Sequence, residues 1–154
     1  MRRSTGKANR RVLILGAGGH GRVVLDILLQ ARCYDVVGFL DNNPEIHGRR
    51  VDGTPVCGGI GDLEHLRTEL DIGGVIVAIG DNGTRRGLAR QVERTGLELI
   101  SAVHPSATLA YNAAIGRNVV IAAGVVVCAN CQIGDSVILN TGCIIDHQTM
   151  IGEG

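Results

Sequence analysis

A six-residue rhythm governs the last third of this chain. From Val103 onward an aliphatic residue recurs at every sixth position: Val103, Leu109, Ile115, Ile121, Val127, Ile133, Leu139, Ile145 and Ile151. Four residues after each of the first eight stands a second, small one: Ala107, Ala113, Val119, Val125, Cys131, Val137, Cys143 and Thr149. The pair Ile-Gly returns at 115, 133 and 151, eighteen residues apart. An α-helix needs a period near 3.6 and a coiled coil one near 3.5, so neither competes. A triangular solenoid does fit, with three hexapeptides to a coil, the aliphatic side chain pointing in and the small one filling the tight corner region.

The first hundred residues read differently. Arg11–Leu15 is a short apolar run that ends in glycines, the mark of a buried strand. From Gly21 the residues Val23, Val24, Ile27, Leu28 and Ala31 make one helical face. Asp35–Leu40 is the second strand, and Ile60–Leu70 a short helix with Asp62 as a candidate N-cap and Leu63, Leu66 and Leu70 on one side. Gly73–Gly80 is the third strand. Thr84–Thr95 is a helix with Leu88 and Val92 inside and Arg85, Arg86, Arg90 and Arg94 mostly outside, and Leu97–Val103 is the last strand. Strand and helix alternating at this pitch give a parallel sheet with right-handed crossovers. Aromatics are only 2% of the chain, so the core must be filled by Val, Ile, Leu and Ala, which suits both halves.

Between the first strand and first helix lies Gly16-Ala-Gly18-Gly-His20-Gly21, a match to G-x-G-x-x-G in its required context. Its glycines let the backbone turn tightly, and the helix N-terminus offers N–H groups suited to phosphate. Asp41 ends the second strand, where a ribose-binding carboxylate would sit. Alone, these features describe an NAD site. Against that stand the size of the sheet region, about half a full dinucleotide fold, and the titratable ring of His20 inside the loop.

Acidic and basic residues balance at 15 each, which calls for neither nucleic acid nor a membrane. Arg2, Arg3, Lys7, Arg10 and Arg11 crowd the start, and residues 1–10 are expected to be a disordered basic tail. No apolar stretch follows them that would make a secretory signal or a membrane span. Five cysteines without an export signal argue for reduced thiols and a cytoplasmic location. Cys128 and Cys131 form a lone CxxC with no second ligand pair, so no metal is expected; the hexapeptide phase makes Cys131 and Cys143 inward fillers.

Hexapeptides of this form resemble the left-handed β-helix acyltransferases. Taken in order, the glycine loop, Phe39-Leu-Asp41-Asn42, Ala78-Ile-Gly80-Asp81-Asn82, Val103-His-Pro-Ser106 and the hexapeptides resemble the sialic acid O-acetyltransferase and UDP-4-amino-sugar N-acetyltransferase family. The resemblance runs from about residue 11 to the end. It implies a Rossmann-like α/β parallel sheet that holds a sugar or UDP-sugar (11–102), followed by a left-handed parallel β-helix (103–154). Gly18, Gly19, His20, Asp41, Asn42 and Gly80 match its sugar-binding positions. It also implies acetyl-CoA as donor, a homotrimer with acetyl-CoA along the seam between neighbouring β-helices, and a histidine base matched by His147.

His147 stands two places after inward Ile145, so its side chain should leave the core. An imidazole titrates near neutral pH and suits a general base. His104, before Pro105, is expected to cap the first coil. The chain departs from the family pattern in two ways. The acidic residue that often follows the catalytic histidine is Gln148 here, with Asp146 on the other side as a possible stand-in. The chain also stops after about three coils, where relatives continue, so the β-helix is expected to be incomplete. Three functions follow: an acyltransferase with His147 as base, an NAD-binding oxidoreductase or sensor that depends on Asp41, and a non-catalytic sugar-nucleotide-binding fragment.

Overall fold

The structure is a computed structural model and describes residues 9–154. Arg2, Arg3 and Lys7 of the expected basic tail lie outside the described residues, whereas Arg10 already begins the first strand, β1 (Arg10–Leu15). Val12, Leu13, Ile14 and Leu15 are wholly buried because β1 is central, flanked by β2 (Tyr34–Leu40) and β5 (Gly74–Val77). Side chains alternate across the sheet. Val12 and Ile14 join a core that runs through α1 (Gly19–Ala31) into the coil, while Leu13 and Leu15 face α2 (Leu63–Glu69) and α3 (Asn82–Arg94).

The sheet order is β3-β4-β2-β1-β5-β6, with β3 (Arg50–Val51), β4 (Thr54–Gly58) and β6 (Glu98–Leu99). All pairs are parallel except β3 with β4. That antiparallel edge hairpin was not expected from the sequence. Its signal is Asp52-Gly53, both at positive φ, a turn pair that favours hairpins. The expected strand Leu97–Val103 is split: β6 closes the sheet, and after Ile100 the chain enters the coil as β7 (Ala102–Val103). The expected helix Ile60–Leu70 opens as a 3-10 turn (Ile60–Asp62), and the Asp62 carboxylate reaches back to Gly59 N–H instead of capping α2.

The coil consists of two-residue strands β7, β8 (Thr108–Leu109), β9 (Ala114–Ile115), β10 (Val120–Ile121), β11 (Val126–Val127), β12 (Gln132–Ile133), β13 (Ile138–Leu139), β14 (Ile144–Ile145) and β15 (Met150–Ile151). They stack as three parallel sheets in which each strand pairs with one eighteen residues on, such as Ala102 with Val120 and Val120 with Ile138. This is the expected left-handed β-helix. Ile121, Val127, Ile133 and Leu139 fill its axis, and Val119, Val125, Cys131 and Val137 are buried beside them. Asn118, Gly124, Asn130, Ser136, Gly142 and Gln148 all take positive φ, one at each of the six turns from β9 to β15. Asparagine and glycine tolerate that region best.

Two expectations about helix faces are corrected. Val23 is 45% exposed, while Leu25 is buried in its stead, because α1 is pressed between the sheet and the coil. Arg85, expected outside, is 1% exposed. It shares the inward helical face with Ala89 and Val92, and the coil closes over it.

Candidate active site

Strand order reverses on either side of β1, and there the loops after β1, β2 and β5 part to leave a cleft of about 390 Å³. Gly16, Gly18, Gly19 and His20 form one wall, Asp41 and Asn42 a second, Ala78, Ile79 and Gly80 the third, with Thr84 and Leu88 of α3 below. All six residues matched to sugar binding therefore meet in one place.

Backbone demands shape the glycine wall. Gly16 sits at φ +105°, and its N–H donates to Leu40 O at 2.7 Å. Gly18 is the N-cap of α1 and offers no side chain to the first turn, which leaves the helix N-terminus open to an acceptor from outside. Asp41 is largely committed to the scaffold: one carboxylate oxygen accepts from Ala17 N–H and the other from Asn43 N–H, both at 2.8 Å. Asn42 Oδ1 accepts from Ile60 N–H at 3.1 Å. These two residues set the loops against each other before any ligand arrives, which weakens the case for Asp41 as a free ribose acceptor. Asp41→Ala orphans two loop N–H groups and is expected to cost about 1–3 kcal/mol in urea denaturation. Asp41→Asn, which keeps one acceptor, should cost less.

His20 is half-buried, and its Nε2 is buried with no hydrogen-bond partner among the described residues. Burial first, and then the Arg85 guanidinium, holds its pKa below that of an ordinary imidazole. The unfolded chain therefore binds the proton more tightly than the folded one. His20 contributes stability that is full above about pH 6.5 and is lost as pH falls through its native value. The Tm is expected to fall on acidification below about pH 6.5, and the fall should be shallower in His20→Gln, as thermal denaturation across that range would read.

A second bay, of about 310 Å³, opens from the cleft at His20 and Gly80. Asn82 and Arg85 line it on one side and Ile138 and Asn140 of the coil on the other. His147 lies elsewhere, in the turn after β14, exposed. Its Nδ1 is 3.3 Å from Gln148 Oε1, so the tautomer protonated at Nδ1 donates there and leaves Nε2 free to take a proton. Asp146 accepts from the backbone N–H of His147 at 2.7 Å and does not meet the ring. Within one chain, His147 does not line the cleft or the bay. His104 accepts at Nδ1 from Ser106 N–H and faces Gln30 through Nε2, which ties the first coil to α1. Among the described residues no group of three or more metal-binding side chains gathers, and no helix is long and apolar enough to cross a membrane.

A glycine-loop cleft at the switch point of an α/β sheet, continued into a left-handed β-helix, defines a two-part hexapeptide-repeat protein. The chain belongs to the PglD N-terminal domain family, whose model matches residues 11–92. It is 30% identical over 118 residues to UDP-N-acetylbacillosamine N-acetyltransferase of Bacillus subtilis (strain 168), across 74% of this chain and 52% of that protein. It thus spans about half the length of that curated relative. Among solved structures it is similar to perosamine N-acetyltransferase from Caulobacter crescentus with CoA and GDP-perosamine, a variant with one histidine replaced by asparagine. There the TM-score is 0.86 and the identity 37%, over 94% of this chain and 67% of that one. It is also similar to the acetyltransferase domain of PglB from Neisseria gonorrhoeae FA1090 with acetyl coenzyme A, at TM-score 0.86 and 34% identity, over 95% of this chain and 69% of that one.

Proposed function

We propose that this chain is the sugar-binding and base-bearing part of an acetyl-CoA-dependent sugar N-acetyltransferase acting on a UDP-linked amino sugar. The observation that carries the reading is the convergence of Gly18, Gly19, His20, Asp41, Asn42 and Gly80 on one cleft at an open helix N-terminus. The named relatives support the chemistry, since each is an acetyltransferase and the solved ones hold CoA or acetyl-CoA.

In this reading the diphosphate lies at the N-terminus of α1, and the sugar extends past His20 toward the coil. Nε2 of His147 takes a proton from the sugar amine as its nitrogen attacks the thioester carbonyl. The C–N bond forms, the tetrahedral intermediate collapses with cleavage of the C–S bond, and CoA departs as the thiol after taking up the proton. His147 does not line the cleft of its own chain, and in this reading a neighbouring copy brings its own His147 to the site, as in a homotrimer whose seams hold acetyl-CoA. Five free cysteines fit a cytoplasmic enzyme. The residues 11–102 and 103–154 form the sugar-binding and β-helical parts.

Thermal denaturation with a UDP-amino sugar, NAD or acetyl-CoA tests the reading, because a ligand of the folded state raises Tm by mass action. A rise with the UDP-sugar and none with NAD is the expected result. A rise with NAD alone would return the glycine loop to dinucleotide binding and sink the proposal.

A further inference from the structure

Three polar side chains are fully buried among the described residues: Arg85, Asn118 and Ser136. They form one connected network. Arg85 Nε donates to Ser136 O at 2.8 Å, Nη1 to Ile79 O and Gly80 O at 2.8 and 2.9 Å, and Nη2 to Asn82 Oδ1 at 2.7 Å. Asn118 Nδ2 donates to Ser136 Oγ at 3.1 Å, and Asn118 Oδ1 accepts from Val77 N–H at 2.7 Å. Both ends of the network therefore grip the carboxyl end of β5, the strand whose exit forms the third wall of the cleft.

The grip has a local cause. β6 pairs only with Gly74 and Val75 before the chain leaves for the coil. Val77 N–H then lacks a strand neighbour on that side, and the Asn118 amide takes the place of one. Asn118 and Ser136 stand eighteen residues apart at equivalent positive-φ turns, so the stacking of the coil itself presents both to β5. Arg85 is harder to explain by packing. No carboxylate among the described residues forms an ion pair with it, and burying a guanidinium among neutral acceptors is costly where an apolar side chain would fill the space.

We propose that Arg85 is a positioning residue through which the coil sets the sugar-nucleotide cleft: anchored on Ser136, its guanidinium fixes the Ile79–Gly80 backbone and stands against His20 at the mouth of the bay. The inference rests on the sugar-nucleotide reading of the cleft. It makes the β-helix, which supplies little of the cleft wall, a determinant of ligand affinity. Arg85 is the charged group that bears on His20, Asp81 at the N-cap of α3 bears in turn on Arg85, and Asp41 lines the cleft, while Ile138 and Asn140 of the coil and Gly154 line the bay.

Arg85→Gln, Arg85→Lys and Asn118→Ala separate positioning from plain stability. Each is compared with the parent chain by thermal denaturation, by calorimetric titration with a UDP-amino sugar, and by NMR titration of His20 without ligand. Weakening of the Kd by about tenfold or more is expected in the folded Arg85 variants, and a smaller loss in Asn118→Ala, which never touches the cleft. His20 should titrate at higher pH in Arg85→Gln and stay near the parent value in Arg85→Lys. Lower Tm with unchanged Kd and unchanged His20 titration would overturn the inference and leave Arg85 a stabilising residue only. If the parent chain binds no UDP-sugar, the reading of the cleft fails, and the His20 titration still decides the role of Arg85. Should Arg85→Gln not fold, Arg85→Lys and Asn118→Ala carry the comparison.

Discussion

Replacing His147 with alanine is expected to lower acetyl transfer by about 10²–10⁴-fold, the range by which a positioned general base accelerates such a step. The Kd for the sugar nucleotide should hold, because His147 lines neither the cleft nor the bay of its own chain. Steady-state rates with an amino-sugar nucleotide and acetyl-CoA, paired with calorimetry, give both numbers. A fall confined to kcat fits a base that acts on the bound amine. Unchanged kcat would remove His147 from the mechanism. Gln148→Glu provides a companion measurement. Gln148 Oε1 already stands 3.3 Å from Nδ1, and a carboxylate there would stabilise the imidazolium formed as the proton is taken. The rate of that variant is expected to rise.

The second large effect is at Gly21. A Cβ built there would lie 2.1 Å from Gly16 O and 2.9 Å from Gly16 C, both backbone atoms of the loop that walls the cleft. No side-chain rotation relieves such a contact. Gly16 cannot retreat easily, since it is already at positive φ and its N–H is bonded to Leu40 O. Gly21→Ala is therefore expected to cost about 1–3 kcal/mol or more, as overpacking does. On the proposed reading it should also abolish sugar-nucleotide binding, by pushing the loop into the space assigned there to the diphosphate. Denaturant unfolding and calorimetry on the same preparation would show both; a folded variant with parental affinity would mean that the glycine loop does not form the binding wall.

These sites differ in how far the sequence disclosed them. The coil was legible because side-chain volume repeats every six residues, and its axis in the structure is built from those same residues, Ile121 through Leu139. The glycines and the strand-end Asp41 of the cleft were legible because they belong to a motif whose spacing reflects backbone geometry, whereas Asn42 and Gly80 came only from the family resemblance. Arg85 was hidden by chemistry. It lies in phase with Ala89 and Val92, yet three other arginines on the same helix made a solvated face the natural expectation. The coil meets it through Ser136, and no local pattern reports a contact over fifty residues away. The hairpin of β3 and β4 was marked by Asp52-Gly53, but strands of two and five residues carry too little alternation to stand out.

Strand pairing also sets an order of events as the chain acquires its structure. In the β-helix each strand meets its partner after one coil, so every closure is short and each completed coil templates the next. β1 is different: Val12 must wait for Gly74 before its second side is covered, and α1 needs both the sheet and the first coil before Leu25 and Leu28 are enclosed. Long closures cost more chain entropy than short ones and slow folding. The α/β half is thus expected to be the slow step. The grip of Asn118 on Val77 can form only once the two halves have met, and so reports their joining.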